Sequence, residues 1–136
     1  MNRVPVRIRT DYTYDLPAYG QYLNEGELAE IAKRCGSHFF DRGTMRFFLS
    51  RIHDIKPASD GWYFITSEKH VSRYSNLNEP RKYTVRKLSY TRDGDGVYNN
   101  ITIDEIGEFQ QYATLQRART GLKYAVQAAP KETVPA

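Results

Sequence analysis

Basic and aromatic side chains crowd one segment of this chain, from Arg81 to Arg92, and give it the clearest capacity for chemistry. Arginine forks grip phosphate groups and tyrosine rings stack on bases, so the segment is suited to a nucleotide or a single nucleic-acid strand. Five of its twelve residues are basic, which exceeds what protection of a sheet edge requires. The ligand-binding candidates within it are Arg81, Lys82, Tyr83, Arg86, Lys87, Tyr90 and Arg92.

A structural interpretation of the same segment competes with this one. Lysine and arginine are common on the exposed edge strand of a sheet, where their charges hinder pairing with another chain. The net charge of +4 is compatible with a phosphate-bearing partner but does not require one. The sequence therefore leaves two interpretations of the basic segment, ligand binding and edge protection.

Acid–base and metal chemistry find little support in the titratable residues. The three histidines, His38, His53 and His70, stand on different segments without the close spacing of metal ligands. We expect no metal, no cofactor and no catalytic residue, and hence no enzymatic activity. The enzymatic alternative is a small hydrolase or transferase that uses Glu108 or His53 with an arginine.

Three helices are predicted around these residues. Asn24 begins the first with the pattern of a capping box, and Thr114 caps the last, whose apolar residues share one side. Between them, the apolar residues of Phe39–Ile52 fit both a helical stripe and the alternation of a strand. A short helix over about Gly43–Leu49 is the favoured interpretation, with Asp41 or Thr44 as its cap.

Strands are predicted before and after a central one. Trp62–Ser67 is apolar on both faces, which is typical of a strand in the middle of a sheet. A strand around Arg51–Ile55 precedes it and is expected to end before Pro57, because proline cannot donate to a sheet ladder.

The basic segment itself is predicted to form a strand, Arg81–Tyr90. Its apolar residues change phase part-way along, which indicates a bulge near Arg86–Lys87. Asp93–Gly96 has the composition of a hairpin turn, after which Val97–Ile106 returns as the partner strand and extends to Phe109.

Together these elements predict an α+β fold, with an antiparallel sheet of three or four strands and two or three helices packed on it. We expect one domain over residues 1–129, in which residues 1–23 form an N-terminal arm or loop, and a frayed tail at 130–136. No apolar stretch approaches the roughly 20 residues of a membrane-spanning helix, and no signal peptide is recognisable. The protein is therefore expected in the cytoplasm, away from membranes.

Six short segments, taken in order, carry a family resemblance: Phe39-Phe40-Asp41, Thr44-Met45-Arg46-Phe47-Phe48, Ser50-Arg51-Ile52, Phe64-Ile65-Thr66-Ser67-Glu68, Tyr83-Thr84-Val85-Arg86, and Gly107-Glu108-Phe109-Gln110 with Tyr112. They resemble a family of small uncharacterised proteins encoded by tailed bacteriophages. The resemblance spans about residues 38 to 125 and leaves the N-terminal arm and the first helix outside. It implies a phage accessory protein in the cytoplasm of a bacterial host, and it brings no catalytic residue.

The residues of these segments divide into apolar and polar sets. The apolar set is expected to form the core, and the polar set is expected to line a groove beside the sheet and to bind ligand. The apolar residues are Met45, Phe48, Phe64 and Phe109, and the polar residues are Arg46, Arg51, Arg86 and Gln110.

The leading functional hypothesis is a non-enzymatic accessory protein that works by binding. Its ligand would carry phosphates, either a nucleic acid or a nucleotide such as a defence signal to be sequestered. The rival is a protein–protein inhibitor of a host factor, which docks through a tyrosine-rich surface or adds a strand to the partner's sheet. The sequence names neither the partner nor the oligomeric state, so a homo-oligomer stays open.

Overall fold

The computed structural model describes residues 3–8, 12–34, 38–69, 80–92 and 98–130 of the chain. The strands are β1 (Arg3–Ile8), β2 (Tyr12–Pro17), β3 (Arg51–Ala58), β4 (Gly61–Glu68), β5 (Lys82–Arg92) and β6 (Tyr98–Glu105). The helices are α1 (Glu25–Arg34), α2 (Arg42–Phe47) and α3 (Leu115–Ala128), and a 3-10 turn, His38–Phe40, precedes α2. The predicted hairpin turn at Asp93–Gly96 and residues 131–136 of the predicted tail lie outside the described residues.

The six strands form one sheet in the order β2-β1-β6-β5-β4-β3. All neighbouring strands are antiparallel except β1 and β6, which form a parallel pair. The predicted α+β fold is confirmed, with β3 to β6 as its four antiparallel strands. Strands β1 and β2 extend this sheet to six strands.

Strand β2 lies where the sequence predicted only an arm or a loop. That prediction is wrong for Tyr12–Pro17, because this segment pairs with β1, the strand immediately before it, and the pairing supplies its backbone hydrogen bonds. Pro17 and Gly20 give the segment the composition of a loop, although the proline stands at the end of the strand. The register places Tyr14 opposite Val6. Val6 and Leu16 are fully buried, so the two N-terminal strands contribute to the core.

Both faces of the sheet are covered by helices. On the first, which we call the α1 face, Trp62 and Phe64 pack in one hydrophobic cluster with the buried residues of α1. On the second, the α3 face, Ile65 and Val85 pack with the buried residues of α3. All eight residues of β4 are buried, which confirms the predicted central position of this strand.

The four apolar residues predicted for the core differ in burial. Phe64 is fully buried on the α1 face, Met45 packs against the same cluster, and Phe48 is half-buried. The prediction is wrong for Phe109, which is 50% exposed. Its position follows from the turn after β6, which holds the ring over Arg86 near the surface instead of inside the sheet.

Strand β5 pairs regularly with β4, so the bulge predicted near Arg86–Lys87 is wrong. The change of apolar phase has another cause, namely that both faces of the strand are buried. Val85 packs on the α3 face and Leu88 packs on the α1 face. An irregularity occurs instead in the pairing with β6, between Ser89 and Thr91.

Strand β3 is an edge of the sheet and continues to Ala58, so the predicted end before Pro57 is wrong. An edge strand tolerates proline because the missing N–H can lie on the unpaired side. The register with β4 shifts between His53 and Lys56, and Asp54 within this shift has a φ of 51°. Aspartate adopts this left-handed conformation more readily than most residues.

The three helices begin at local caps. In each case the cap side chain accepts a hydrogen bond from the backbone N–H three residues further along. The acceptors are Asn24 Oδ1 at 2.7 Å, Asp41 Oδ2 at 3.3 Å and Thr114 Oγ1 at 3.2 Å. The predicted caps at Asn24 and Thr114 are confirmed, and Asp41, not Thr44, caps α2.

Strand β6 ends at Glu105, short of its predicted end. Gly107 and Gln110 have φ values of 89° and 56°, and this left-handed backbone turns the chain out of the strand. Tyr112 then forms an isolated antiparallel bridge with Tyr83 of β5. The predicted extension is wrong because these turn conformations are incompatible with a continuous strand.

Candidate functional site

The candidate residues of β5 divide between the two faces of the sheet. The register with β4 places Arg86 opposite Phe64, on the α1 face, and Lys87 opposite Tyr63, on the α3 face. Strand β5 lies between β4 and β6, so it is not an edge and the edge-protection interpretation is wrong. The basic segment therefore does not form one continuous patch.

Arg86 is buried on the α1 face, with only 7% of its surface exposed. Its Nε donates to Thr66 Oγ1 at 2.8 Å, and its guanidinium lies over the rings of Phe39 and Phe109, 4.7 and 5.7 Å from their centroids. Its Nη1 is 3.7 Å from Glu105 Oε1. Burial lowers the pKa of Arg86, while the neighbouring carboxylates oppose that shift. The guanidinium is thus engaged inside the protein.

Gln110 fastens the turn after β6 to the same face of the sheet. Its backbone N–H donates to Thr84 Oγ1 and its side-chain Nε2 donates to Glu68 Oε1, both at 2.8 Å. Burial raises the pKa of Glu68, although the hydrogen bond from Gln110 and the charge of Arg86 work against it. Gln110 and Arg86 therefore belong to one polar cluster on the α1 face, whose side chains bond to one another and to β4 and β5. Arg46 and Arg51, the other two residues predicted for a groove beside the sheet, have no described contact with this cluster.

Lys87 and Tyr90 also have internal partners. Lys87 Nζ is 2.7 Å from Asp60 Oδ2 and 5.4 Å from the centroid of the Tyr63 ring. The ring of Tyr90 is buried and stacks on that of Tyr19, with the centroids 4.2 Å apart. Both side chains fasten distant parts of the chain to β5.

Three other candidates meet on the α3 face, at the end of the sheet where β3 and β5 begin. Arg51 and Tyr83 both pair with Ser67 of β4, so these residues form one row across three strands. Arg81 Nη1 donates to Ser67 Oγ at 3.0 Å and to the backbone oxygen of Leu49 at 2.7 Å. We call Arg51, Arg81 and Tyr83 the arginine cluster.

The arginine cluster has an excess of positive charge. Burial lowers the pKa of Arg81 and the charge of Arg51 lowers it further, while the charges of Tyr83 and Glu68 oppose this shift. Among the described residues, neither guanidinium forms an ion pair with a carboxylate. Arg51 is exposed, and so is Lys82, which follows Arg81 in the chain but pairs with Glu68 on the α1 face. Two neighbouring cations without a bridging carboxylate constitute a candidate anion site.

His53 borders the arginine cluster. Its Nε2 is 2.8 Å from Ser67 Oγ, and its ring centroid is 5.8 Å from that of Tyr83. Burial lowers the pKa of His53 and the nearby arginines lower it further, against the opposing charge of Asp54. These effects favour the neutral form of His53. Ser67 has no exposed surface, so this histidine–serine pair offers no accessible nucleophile.

The part of the chain that carries these residues matches a family profile. The match covers residues 27–123, and the family is described as one of unknown function, DUF7447. The chain belongs to this family. An uncharacterised family is thus confirmed, and the match begins inside α1, so it includes most of the first helix, which the sequence resemblance leaves out. Comparisons with the curated proteins and with the solved structures each gave no match.

In this DUF7447 chain, the described structure shows no contact between the remaining predicted ligand-binding residues and the arginine cluster. Arg46 is exposed on α2, and no hydrogen bond or ion pair links its side chain to another described residue. The side chains of Arg92 and His38 and the whole of His70 lie outside the described part of the structure. No three His, Cys, Asp or Glu side chains in the described ranges converge on a metal position. The described helices include none that is long and apolar enough to cross a membrane.

Two residues that contact the arginine cluster were not among the residues predicted from the sequence. Ser67 contacts both His53 and Arg81 through Oγ, and Leu49 supplies its backbone oxygen from a conformation with a φ of 49°. The alternation along β4 does place Ser67 on the face of Ile65. The contacts themselves depend on strand register, which alternation within one strand does not give.

Proposed function

We propose that this protein is a non-enzymatic binding protein whose arginine cluster holds a phosphate-bearing ligand, either a nucleic acid or a nucleotide. The supporting observation is the approach of Arg51 and Arg81 without a carboxylate paired to either one among the described residues. Like charges repel, and an anion between them converts the repulsion into attraction. A guanidinium also matches a phosphate with two parallel hydrogen bonds.

Arg81 is held in position for such a ligand by the protein. Ser67 Oγ and the Leu49 carbonyl both accept from its Nη1, and no further partner of this guanidinium is present among the described residues. A side chain that is already fixed loses less entropy when it binds. Tyr83 is half-buried beside it and offers a ring on which a base can stack.

The cellular context of the proposal comes from the sequence resemblance. The family to which the chain belongs has no known function. From the segments that resemble tailed-phage proteins, we propose an accessory role in the cytoplasm of a bacterial host. There, a phosphate-binding protein would act on nucleic acid or sequester a nucleotide that the host uses as a defence signal.

Inhibition of a host protein is the alternative function, and three exposed apolar side chains favour it. Phe47, Leu49 and Phe109 expose 64%, 50% and 50% of their surfaces. Aromatic residues are enriched in protein–protein interfaces. Docking through these side chains would not require the arginine cluster.

A hydrolase or transferase has less support from the geometry. Ser67, the hydroxyl beside His53, is fully buried. The alternative required Glu108 or His53 together with an arginine. Arg81 and Arg119 lie near His53, whereas Glu108 is exposed on the turn after β6 and no ion pair joins it to an arginine among the described residues.

Fluorescence anisotropy with labelled ligands tests the proposed function. We expect a fluorescein-labelled single-stranded oligonucleotide or nucleotide to bind roughly 10- to 100-fold more weakly to Arg51→Ala and to Arg81→Ala, because each loses a charged hydrogen bond worth roughly 1.5–3 kcal/mol. Lys33→Ala, which removes an exposed charge from α1, is the matched control and should bind like the wild type. Equal affinity of all three variants would rule out the arginine cluster as the ligand site.

A further inference from the structure

A cavity on the α3 face lies between β3 and α3 and has a volume of about 490 Å³. Leu122 and Val126 of α3 supply its apolar floor, and Lys56, Arg119 and Lys123 stand around it. We call it the α3 groove. No residue of the arginine cluster lines it, so it is a separate place on the same face.

The bulge of β3 shapes one side of the α3 groove. Bulges re-aim side chains at the rims of sheets, and the register shift of this strand contains Asp54 in its left-handed conformation. From there, Asp54 reaches α3, where Arg119 Nε is 2.5 Å from its Oδ2. This ion pair joins the edge strand to the helix beside the cavity.

The same ion pair leaves the α3 groove positively charged. Asp54 is the carboxylate among the described lining residues, and Arg119 neutralises it. Lys56 and Lys123 are both exposed, and within the described ranges neither has an ion-pair partner. The groove thus combines an aliphatic floor with two unpaired lysines at its rim.

We propose that the α3 groove binds a small amphipathic anion, which is an aromatic or aliphatic body that carries one carboxylate, sulfonate or phosphate group. The cavity volume falls within the roughly 300–1,000 Å³ of small-molecule sites, which are mostly apolar with a few polar groups that orient the ligand. The apolar body covers Leu122 and Val126, and the anionic group lies between Lys56 and Lys123. This inference goes beyond the proposed function and uses other residues.

A titration with 2-naphthoate followed by ¹⁵N NMR tests the α3 groove. We expect saturable binding at one site, with the largest shifts at Lys56, Leu122 and Val126. The uncharged amide, 2-naphthamide, has the same rings and is expected to bind about tenfold more weakly, because it loses the attraction of the two lysines. Lys123→Glu should weaken naphthoate by about tenfold or more for the same reason.

Two controls separate this site from general effects and from the arginine cluster. Lys33→Glu makes the same charge change on α1 and should bind naphthoate like the wild type. Arg51→Ala should also retain naphthoate binding, even where it loses phosphate binding. Any one of four results would overturn the proposal. The acid and the amide could bind with equal affinity, or the NMR shifts could lie away from the groove. Lys123→Glu could bind naphthoate as tightly as the wild type, or Arg51→Ala could lose naphthoate binding.

Discussion

Arg81 and Arg86 both belong to the basic segment at β5 and have opposite surroundings. Arg86 is enclosed by Phe39 and Phe109 on the α1 face and bonded to Thr66. Arg81 is tied to the protein through one nitrogen, Nη1, and lies beside another arginine on the α3 face. Identical side chains therefore serve packing in one case and are proposed to serve binding in the other, and burial decides between them.

The pH dependence of stability tests the surroundings of His53. Its pKa in the folded protein is lowered from 6.5, first by burial and then by the arginines around it. Below pH 6.5 the unfolded chain thus binds more protons than the folded one, so the stability that neutral His53 contributes is present above this pH and is lost as the pH falls. We expect urea unfolding to show a free energy that falls from about pH 7 to pH 5, and falls less in His53→Gln. Identical pH profiles of variant and wild type would contradict the lowered pKa.

At the scale of elements, features that depend on neighbouring residues follow from the sequence, and features that depend on distant partners do not. The caps at Asn24 and Thr114 are local and are predicted correctly, as is the fully buried strand around Trp62–Ser67. The face on which each basic residue of β5 lies relative to the helices depends on pairing with β4, from which residues 69–81 separate β5 along the chain. Strand β2 is an exception, because it pairs with the strand immediately before it but has the composition of a loop. Because helices cover both faces of the sheet, apolar residues of β5 occur on both faces. In the sequence this pattern resembles a change of phase, and it led to the incorrect prediction of a bulge.

Gly121 of α3 allows the helix to pack closely against Tyr112, although glycine has a low helix propensity. A Cβ at this position would meet the hydroxyl of Tyr112 and lie 2.5 Å from its Cζ. Tyr112 cannot easily withdraw, because its backbone exchanges two hydrogen bonds with Tyr83. We expect Gly121→Ala to lower the free energy of unfolding by about 1–3 kcal/mol through overpacking, whereas such a change ordinarily stabilises a helix by up to ~1 kcal/mol. Urea unfolding of the variant and the wild type measures the direction of this change in the free energy of unfolding.

A second glycine provides the matched control for this prediction. A Cβ on Gly26 of α1 would be 3.5 Å from Asn24 Oδ1, which is an ordinary contact. Gly26→Ala should therefore keep or raise stability, as helix propensity predicts. If Gly121→Ala also stabilised the protein, the close approach of α3 to Tyr112 would be refuted.

Over the whole molecule, positive charge gathers along the edge strand β3 and the adjacent helix α3. Arg51 and Lys56 lie on β3, and Arg119 and Lys123 lie on α3. Basic side chains, the bulge and Pro57 all hinder the pairing of an exposed edge with another chain. The edge protection that the sequence suggested for β5 thus fits β3, and we propose that the same charges attract anions to the α3 face.

The salt dependence of oligonucleotide binding tests the arginine cluster most directly. For a single strand, each phosphate contact contributes roughly 0.7 to the slope of log affinity against log salt concentration. We expect the Arg51→Ala, Arg81→Ala double variant to have a slope shallower than that of the wild type by about 1.4, since two contacts are lost. Anisotropy titrations over a series of salt concentrations measure both slopes. A double variant with the slope of the wild type would contradict phosphate binding at this cluster.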